Sequence, residues 1–218
     1  MMDRKIILGS ASPRRRELLA QMGVKFEVRV SDKEEIYYSE TPEVIVKELA
    51  LMKAENVLSD LLEEQVSGKR MSGETGDGDA LLKDTVILGA DTVVVLDDKI
   101  LGKPKDEEDA FRMIQSLQGR EHEVYTGVAV IEFDSQGNRS TVSHAVGTKV
   151  CVHEMTGAEI QAYIATGEPM DKAGAYGIQG RFAPFIERIE GDFYNVVGLP
   201  VSYVYQMLFK YEQGADRG

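Results

Sequence analysis

An α/β fold with a mixed sheet is what this sequence predicts, on three observations. Short apolar runs that read as strands alternate with segments of helical periodicity along the chain. Two strand-like runs, residues 124–133 and 142–152, form a pair joined by Asp134-Ser135-Gln136-Gly137-Asn138. The chain has 218 residues, 43% of them hydrophobic, enough for a sizeable core in one domain.

The elements follow in order. Residues 5–8 read as a short buried strand. Gly9-Ser10-Ala11-Ser12-Pro13 turns into a helix with Pro13 in its first turn and a stop near Gly23. Residues 26–30 alternate like a second strand, and Thr41-Pro42-Glu43 opens a long helix expected to end near Leu62. Residues 63–84 change character. Their glycine-rich polar stretch reads as an exposed insertion loop, and its acidic cluster lacks the spacing and terminal glutamate of a calcium loop. Residues 86–96 make a strong strand, and residues 106–118 a helix with Ala110, Ile114 and Leu117 on one face and Gly119 as its stop. After the strand pair come a helix over residues 156–165, a glycine-studded segment over 167–180, a strand over 185–189 and a terminal helix over 200–211. No internal repeat is visible.

Composition excludes several function classes. No apolar run has transmembrane length, and the four-residue run after Met1-Met2-Asp3-Arg4-Lys5 is too short for a signal-peptide core. Cys151 is the single cysteine, so no internal disulfide forms, and the expected location is cytoplasmic. The net charge of −12 argues against a nucleic-acid-binding surface, which needs a basic footprint. It leaves room for a small polyanion held by a local basic site or by a divalent cation.

Three groups of residues carry candidate chemistry. In Ser10-Ala11-Ser12-Pro13-Arg14-Arg15-Arg16, three arginines occupy a first helical turn, where the helix dipole disfavours cations unless an anion is present. A turn of small residues at a helix N-terminus offers backbone N–H groups to phosphate, and serine hydroxyls and arginine forks add donors. A solvated charged turn is the plainer alternative. Asp91 interrupts an apolar strand, which marks it as a general base, a metal ligand or half of a structural salt bridge. Lys53 lies within the helical stripe of Val46, Leu49, Ala50, Ala54 and Val57, either reaching the surface or bordering a phosphate cavity. Lys103, in the tight turn Gly102-Lys103-Pro104, is placed to return to the same cavity. In residues 168–180 the density of glycine means close backbone approach or unusual dihedrals, and the Gln179 amide can meet the N3–H and O4 of a pyrimidine or bond to the loop backbone. Glu34 and Glu35 are carboxylates suited to joining Asp91 around Mg²⁺, or form a solvated turn. His122, His144 and His153 share no metal-ligand spacing and receive no catalytic role.

Five motifs in order resemble the Maf family of nucleotide pyrophosphatases: Ser10-Ala11-Ser12-Pro13-Arg14-Arg15, Gly89-Ala90-Asp91-Thr92, Gly102-Lys103-Pro104, the run from Asp171 through Gly180, and Gly191-Asp192-Phe193-Tyr194-Asn195-Val196-Val197-Gly198-Leu199-Pro200. The resemblance implies a single two-lobed domain over residues 1–218, a central cleft in an elongated mixed sheet flanked by helices, and a homodimer. It implies hydrolysis of a nucleoside triphosphate to the monophosphate and pyrophosphate, with Mg²⁺ or Mn²⁺. By match, Asp91 is the catalytic carboxylate, and Arg15, Thr92 and Gln179 stand at positions tied to substrate choice. Ser10, Arg14, Lys53, Lys103 and Lys172 match phosphate-binding positions, and Glu35 joins Asp91 at the metal. The Gly-Ala-Tyr-Gly-Ile-Gln-Gly segment resembles the branch acting on dTTP and UTP. A sister branch prefers 7-methyl-GTP and differs there. Residues 63–84 are longer than the family's usual loop.

The expected reaction is in-line attack of water on the α-phosphorus. Asp91 takes the water's proton or holds the metal that acidifies it. The rival reading is a nucleotide sensor of cell division that binds without turnover. Asp91 weighs against it, because a carboxylate repels a polyanion unless a metal or a proton transfer requires it.

Overall fold

The computed structural model of the protein describes residues 4–33, 37–72 and 82–209, and of residues 65–72 only the backbone. Strand alternation lets one sheet serve two cores. β3 (Thr85–Leu96) turns Ile87, Gly89, Asp91, Val93 and Val95 to one face and Val86, Leu88, Ala90, Thr92 and Val94 to the other. Against the first face lies α2 (Pro42–Ser72), whose Ala54, Val57, Leu58 and Leu61 pack on Ile87 and whose Val46 packs on Val93 and Val95. Against the second face lie α1 (Pro13–Gln21), α3 (Glu107–Leu117), α4 (Gly157–Ile164) and α6 (Val201–Phe209), which bury Leu18, Leu19, Ile114, Leu117, Ile160 and Val204.

Besides β3, the sheet contains β1 (Lys5–Gly9), β2 (Glu27–Val28), β4 (Lys99–Leu101), β5 (Glu121–Phe133), β6 (Arg139–Val152) and β7 (Ile186–Glu190). Among the described residues its order is β2-β1-β3-β5-β6-β7, with β4 also paired to β3. β1 is parallel to both β2 and β3, and the remaining pairs are antiparallel. The sheet is therefore mixed, as expected. One detail of register positions the site. Pairing of β3 with β1 ends at Gly89, and pairing with β4 begins only at Val94, so the edge of β3 opens between them. Beside that opening are the C-terminal end of a parallel strand and a helix N-terminus, the usual place for ligands in such sheets.

Helix α2 sits unusually close to the sheet there. A Cβ on Gly89 would stand 2.0 Å from the Ala50 carbonyl oxygen, and one on Gly127 2.0 Å from that of Val46. Only glycine permits this approach, and the approach carries Lys53 over Asp91.

The structure departs from the sequence expectations at four places. α2 continues to Ser72, so residues 63–72 of the expected insertion loop are helical. Glu63, Glu64 and Gln65 are good helix formers, and Gly68 costs a helix only about 1 kcal/mol relative to alanine. The rest of that loop up to residue 81 lies outside the described residues. β2 has only two residues instead of five. β4 and the short helix α5 (Phe193–Val197), capped by Asp192 and ended by Gly198, were not expected. Among the described residues, no helix is long and apolar enough to cross a membrane.

Candidate active site

At the open edge of β3 lies a cleft of about 680 Å³. Nine sequence-predicted residues line it: Ser10, Arg14, Arg15, Lys53, Asp91, Thr92, Lys103, Lys172 and Gln179. Glu35 lies outside the described residues.

Asp91 and Lys53 form the centre. The Lys53 Nζ donates to Asp91 Oδ1 at 2.6 Å, with both side chains largely shielded. Two alternatives left open by the sequence thus merge. Lys53 turns into the cleft rather than out to bulk solvent, and Asp91 is in an ion pair while still facing the cavity. Asn56, one helical turn after Lys53, also lines the cleft, as helical spacing would have indicated.

On the other face of β3 lies the arginine turn. Ser12 caps α1, its hydroxyl accepting from the Arg15 N–H at 3.4 Å. The Arg15 side chain is buried and spends its donors on the protein: Nε on the Gly198 carbonyl at 2.8 Å, Nη1 on Ser10 Oγ at 3.0 Å and Nη2 on Thr92 Oγ1 at 3.0 Å. The unfavourable place of this cation at a helix N-terminus is thus offset in part by internal acceptors. Arg14 remains partly exposed, with Nη1 3.9 Å from Asp171 Oδ2. Lys103 is exposed on its turn, where the Gly102 carbonyl accepts from Gly174 N–H at 3.0 Å.

Residues 168–181 form the opposite wall. Glu168 clamps the segment. Its Oε1 accepts from the Tyr163 hydroxyl at 3.1 Å, its Oε2 from the Arg181 N–H at 2.9 Å, and its backbone carbonyl from Lys172 Nζ at 2.6 Å. The Tyr163 hydroxyl in turn accepts from Gly177 N–H at 3.2 Å. A Cβ on Gly180 would lie 2.1 Å from Glu168 Oε1, so close approach explains the glycine there. Gln179 projects at the exposed rim. Burial raises the Asp171 carboxyl, but the Lys172 hydrogen bond and the charges of Lys172 and Arg14 outweigh it and hold the group below its ordinary range. Lys172 is therefore tied to Glu168 and Asp171, and meets the cleft from within the loop.

Two supports escaped the sequence reading. Thr126, fully buried on β5, stands opposite Thr92 with the two hydroxyls 2.9 Å apart, and it donates to the Asn195 carbonyl at 2.8 Å. Asn195 Nδ2 bonds Val124 O and Thr148 Oγ1, each at 2.9 Å. Strand register, which the sequence does not display, is what brings Thr126 to Thr92. Behind the loop, His122 Nε2 and the Tyr176 hydroxyl are 2.7 Å apart, and burial pushes the imidazole down to about 4.

Known proteins resemble this chain along nearly its whole length. The chain is 47% identical over 206 residues to a "dTTP/UTP pyrophosphatase" of Agathobacter rectalis, covering 94% of this chain and 97% of that one. It is 45% identical over 215 residues to a protein of the same name from Bacillus cytotoxicus, covering 98% of each. A solved nucleoside-triphosphatase / dITP/XTP pyrophosphatase of Mycobacterium abscessus aligns with a TM-score of 0.36 and 13% identity, over 84% of this chain and 82% of that one, too slight a likeness to bear on the site. The family model described as Maf-like protein matches residues 5–211, and with relatives this similar along nearly their whole length the chain belongs to the Maf family.

Proposed function

We propose that the protein is a nucleoside triphosphate pyrophosphatase hydrolysing dTTP and UTP to the monophosphate and pyrophosphate in the cytoplasm. The carrying observation is the charge in the cleft. Arg14, Arg15, Lys33, Lys53, Lys103 and Lys172 line it, against Asp91, Glu168 and Asp171, in a chain whose net charge is −12. A local excess of cations in an acidic protein suits a small polyanion. The names of the curated relatives support the choice of nucleotide.

The residues present fit a divalent metal. Among the described residues no three His, Cys, Asp or Glu side chains gather into a cage. Mg²⁺ at triphosphate sites needs only one or two carboxylates, the phosphates and water supplying the rest. Asp91 has a second carboxylate oxygen besides the one bonded to Lys53, and Asp91 and Glu35 would hold the ion. When bound, Mg²⁺ or Mn²⁺ neutralises phosphate charge and acidifies water.

The chain's own residues do the rest. The Ser10 hydroxyl donates to a phosphate oxygen, and Arg14, Lys53, Lys103 and Lys172 offset charge along the triphosphate. Water attacks the α-phosphorus in line, Asp91 takes its proton, and the bond to the bridging oxygen breaks to release pyrophosphate. Gln179 at the rim faces the pyrimidine edge. No covalent nucleophile is needed, because phosphoryl transfer depends chiefly on positioning and charge. The test is chromatography of early products from UTP and dTTP with Mg²⁺ or Mn²⁺. Monophosphate and pyrophosphate are expected from the first time point, and early UDP with orthophosphate overturns the reading.

A further inference from the structure

Hydrogen-bond polarity in the cleft wall can be worked out from the bonds themselves. A carbonyl oxygen only accepts, so the Thr126 hydroxyl must spend its proton on Asn195 O at 2.8 Å. Across the 2.9 Å contact between the two threonines, Thr92 must then be the donor. Thr92 Oγ1 also accepts from Arg15 Nη2 at 3.0 Å, and a guanidinium only donates. A hydroxyl has one proton and two lone pairs. The Thr92 proton and one lone pair are thereby committed, which leaves one lone pair on the hydroxyl of Thr92, a partly exposed residue that lines the cleft.

Ser10 works out with the opposite sign. Its Oγ accepts from Arg15 Nη1 at 3.0 Å and from the Ser12 N–H at 3.3 Å. Both lone pairs are used, and its proton is what remains. One guanidinium thus makes Ser10 a donor, suited to a phosphate oxygen, and Thr92 an acceptor, unsuited to one.

We infer that Thr126 is a positioning residue whose hydroxyl fixes Thr92 as a hydrogen-bond acceptor, so that the cleft receives a donor of the nucleoside at Thr92. This rests on the nucleoside triphosphate reading above and refines it. UTP and dTTP share two such donors, the pyrimidine N3–H and the sugar 3′-hydroxyl. Cytosine carries an acceptor at N3, which would meet the Thr92 lone pair head-on.

The test uses the full-length protein with UTP, CTP, 3′-deoxy-UTP and 3-methyl-UTP, read as kcat/KM. Thr126→Val removes the hydroxyl while keeping shape, and releases the Thr92 proton to turn toward the cleft. The UTP-to-CTP ratio should fall by about threefold or more if the donor is N3–H, and the UTP-to-3′-deoxy-UTP ratio by as much if it is the 3′-hydroxyl. Thr126→Ser, which restores the hydroxyl, should keep both ratios near wild type. A folded Thr126→Val protein with both ratios unchanged overturns the inference, even if its rate falls equally on all substrates, because that is what a merely structural role gives. Should Thr126→Val not fold, the wild-type protein decides. At least one of 3-methyl-UTP and 3′-deoxy-UTP should be about tenfold worse than UTP, and both being as good overturns the acceptor at Thr92. A wild-type protein releasing no pyrophosphate from UTP overturns the functional reading itself and the inference with it.

Discussion

The two walls of the cleft are ordered by different means. On the β3 wall, Arg15, Thr92, Thr126 and Gly198 are joined across large separations in sequence and buried among strands and helices. On the loop wall, Glu168, Lys172, Gly177 and Arg181 hold one another within about one loop, with Tyr163 close by. The first wall is held by contacts distant in sequence, whereas the second is held mostly by contacts within its own segment.

The comparison is broken most directly at Asp91. Asp91→Asn keeps the shape and removes the charge. Turnover should drop by roughly a hundredfold or more, about 2.7 kcal/mol in barrier height, for every nucleotide alike. Folding should persist, because Lys53 lies beside the cleft where water can reach it. Near wild-type kcat in steady-state assays would remove Asp91 from the chemistry.

A loop-wall change should behave differently. Gly180→Ala places a methyl against the Glu168 carboxylate and forces the clamp open. KM for UTP should rise by about tenfold with a smaller change in kcat, since binding rather than the reacting groups is disturbed. A fall in kcat at constant KM would show that the loop wall reaches the chemistry.

Gln179→Ala sharpens the same contrast. The UTP preference over CTP, expected to be at least about tenfold in the wild type, should shrink more than the UTP rate does. Equal loss on both nucleotides would deny Gln179 any reading of the base.

The smallest effect is on stability, where His122 of β5 meets Tyr176 of the loop. The folded imidazole titrates at about 4, below its ordinary 6.5, because burial disfavours the cation. As pH falls the unfolded chain takes the proton first, so stability is full above about pH 6.5 and is lost as pH drops toward 4. Between pH 7.5 and 5.5 this amounts to about 1.4 kcal/mol, which His122→Asn should remove from the slope of urea-derived stability against pH. An unchanged slope would mean that the native protein protonates His122 as readily as the unfolded chain.

Much of this was legible in the sequence where a residue contradicts its local pattern. Asp91 in an apolar strand and Lys53 in an apolar stripe are each costly alone, and the structure pairs them. Arg15 stands out for the same reason, and the Gly198 carbonyl that accepts from its guanidinium lies too far along the chain for any local pattern to announce. Thr126 gave no signal, since a threonine in a strand is ordinary until register sets it opposite Thr92. β4 and α5 are too short for periodicity to declare them. α2 runs on through Ser67 and Gly68 because the helix formers Glu63, Glu64 and Gln65 before them outweigh the local breakers.

The missing side chains at Gly89 and Gly127 have a further consequence. They act as a machined fit between helix and sheet, since the distance from α2 to β3 sets where the Lys53 ammonium meets Asp91. A single methyl at Gly89 is a shim. It would lift the helix by a fraction of its diameter, leave every ligand-facing residue in place in the sequence, and still uncouple the pair at the centre of the cleft. Loss of activity from a position with no side chain of its own to meet a ligand would then measure alignment, not chemistry.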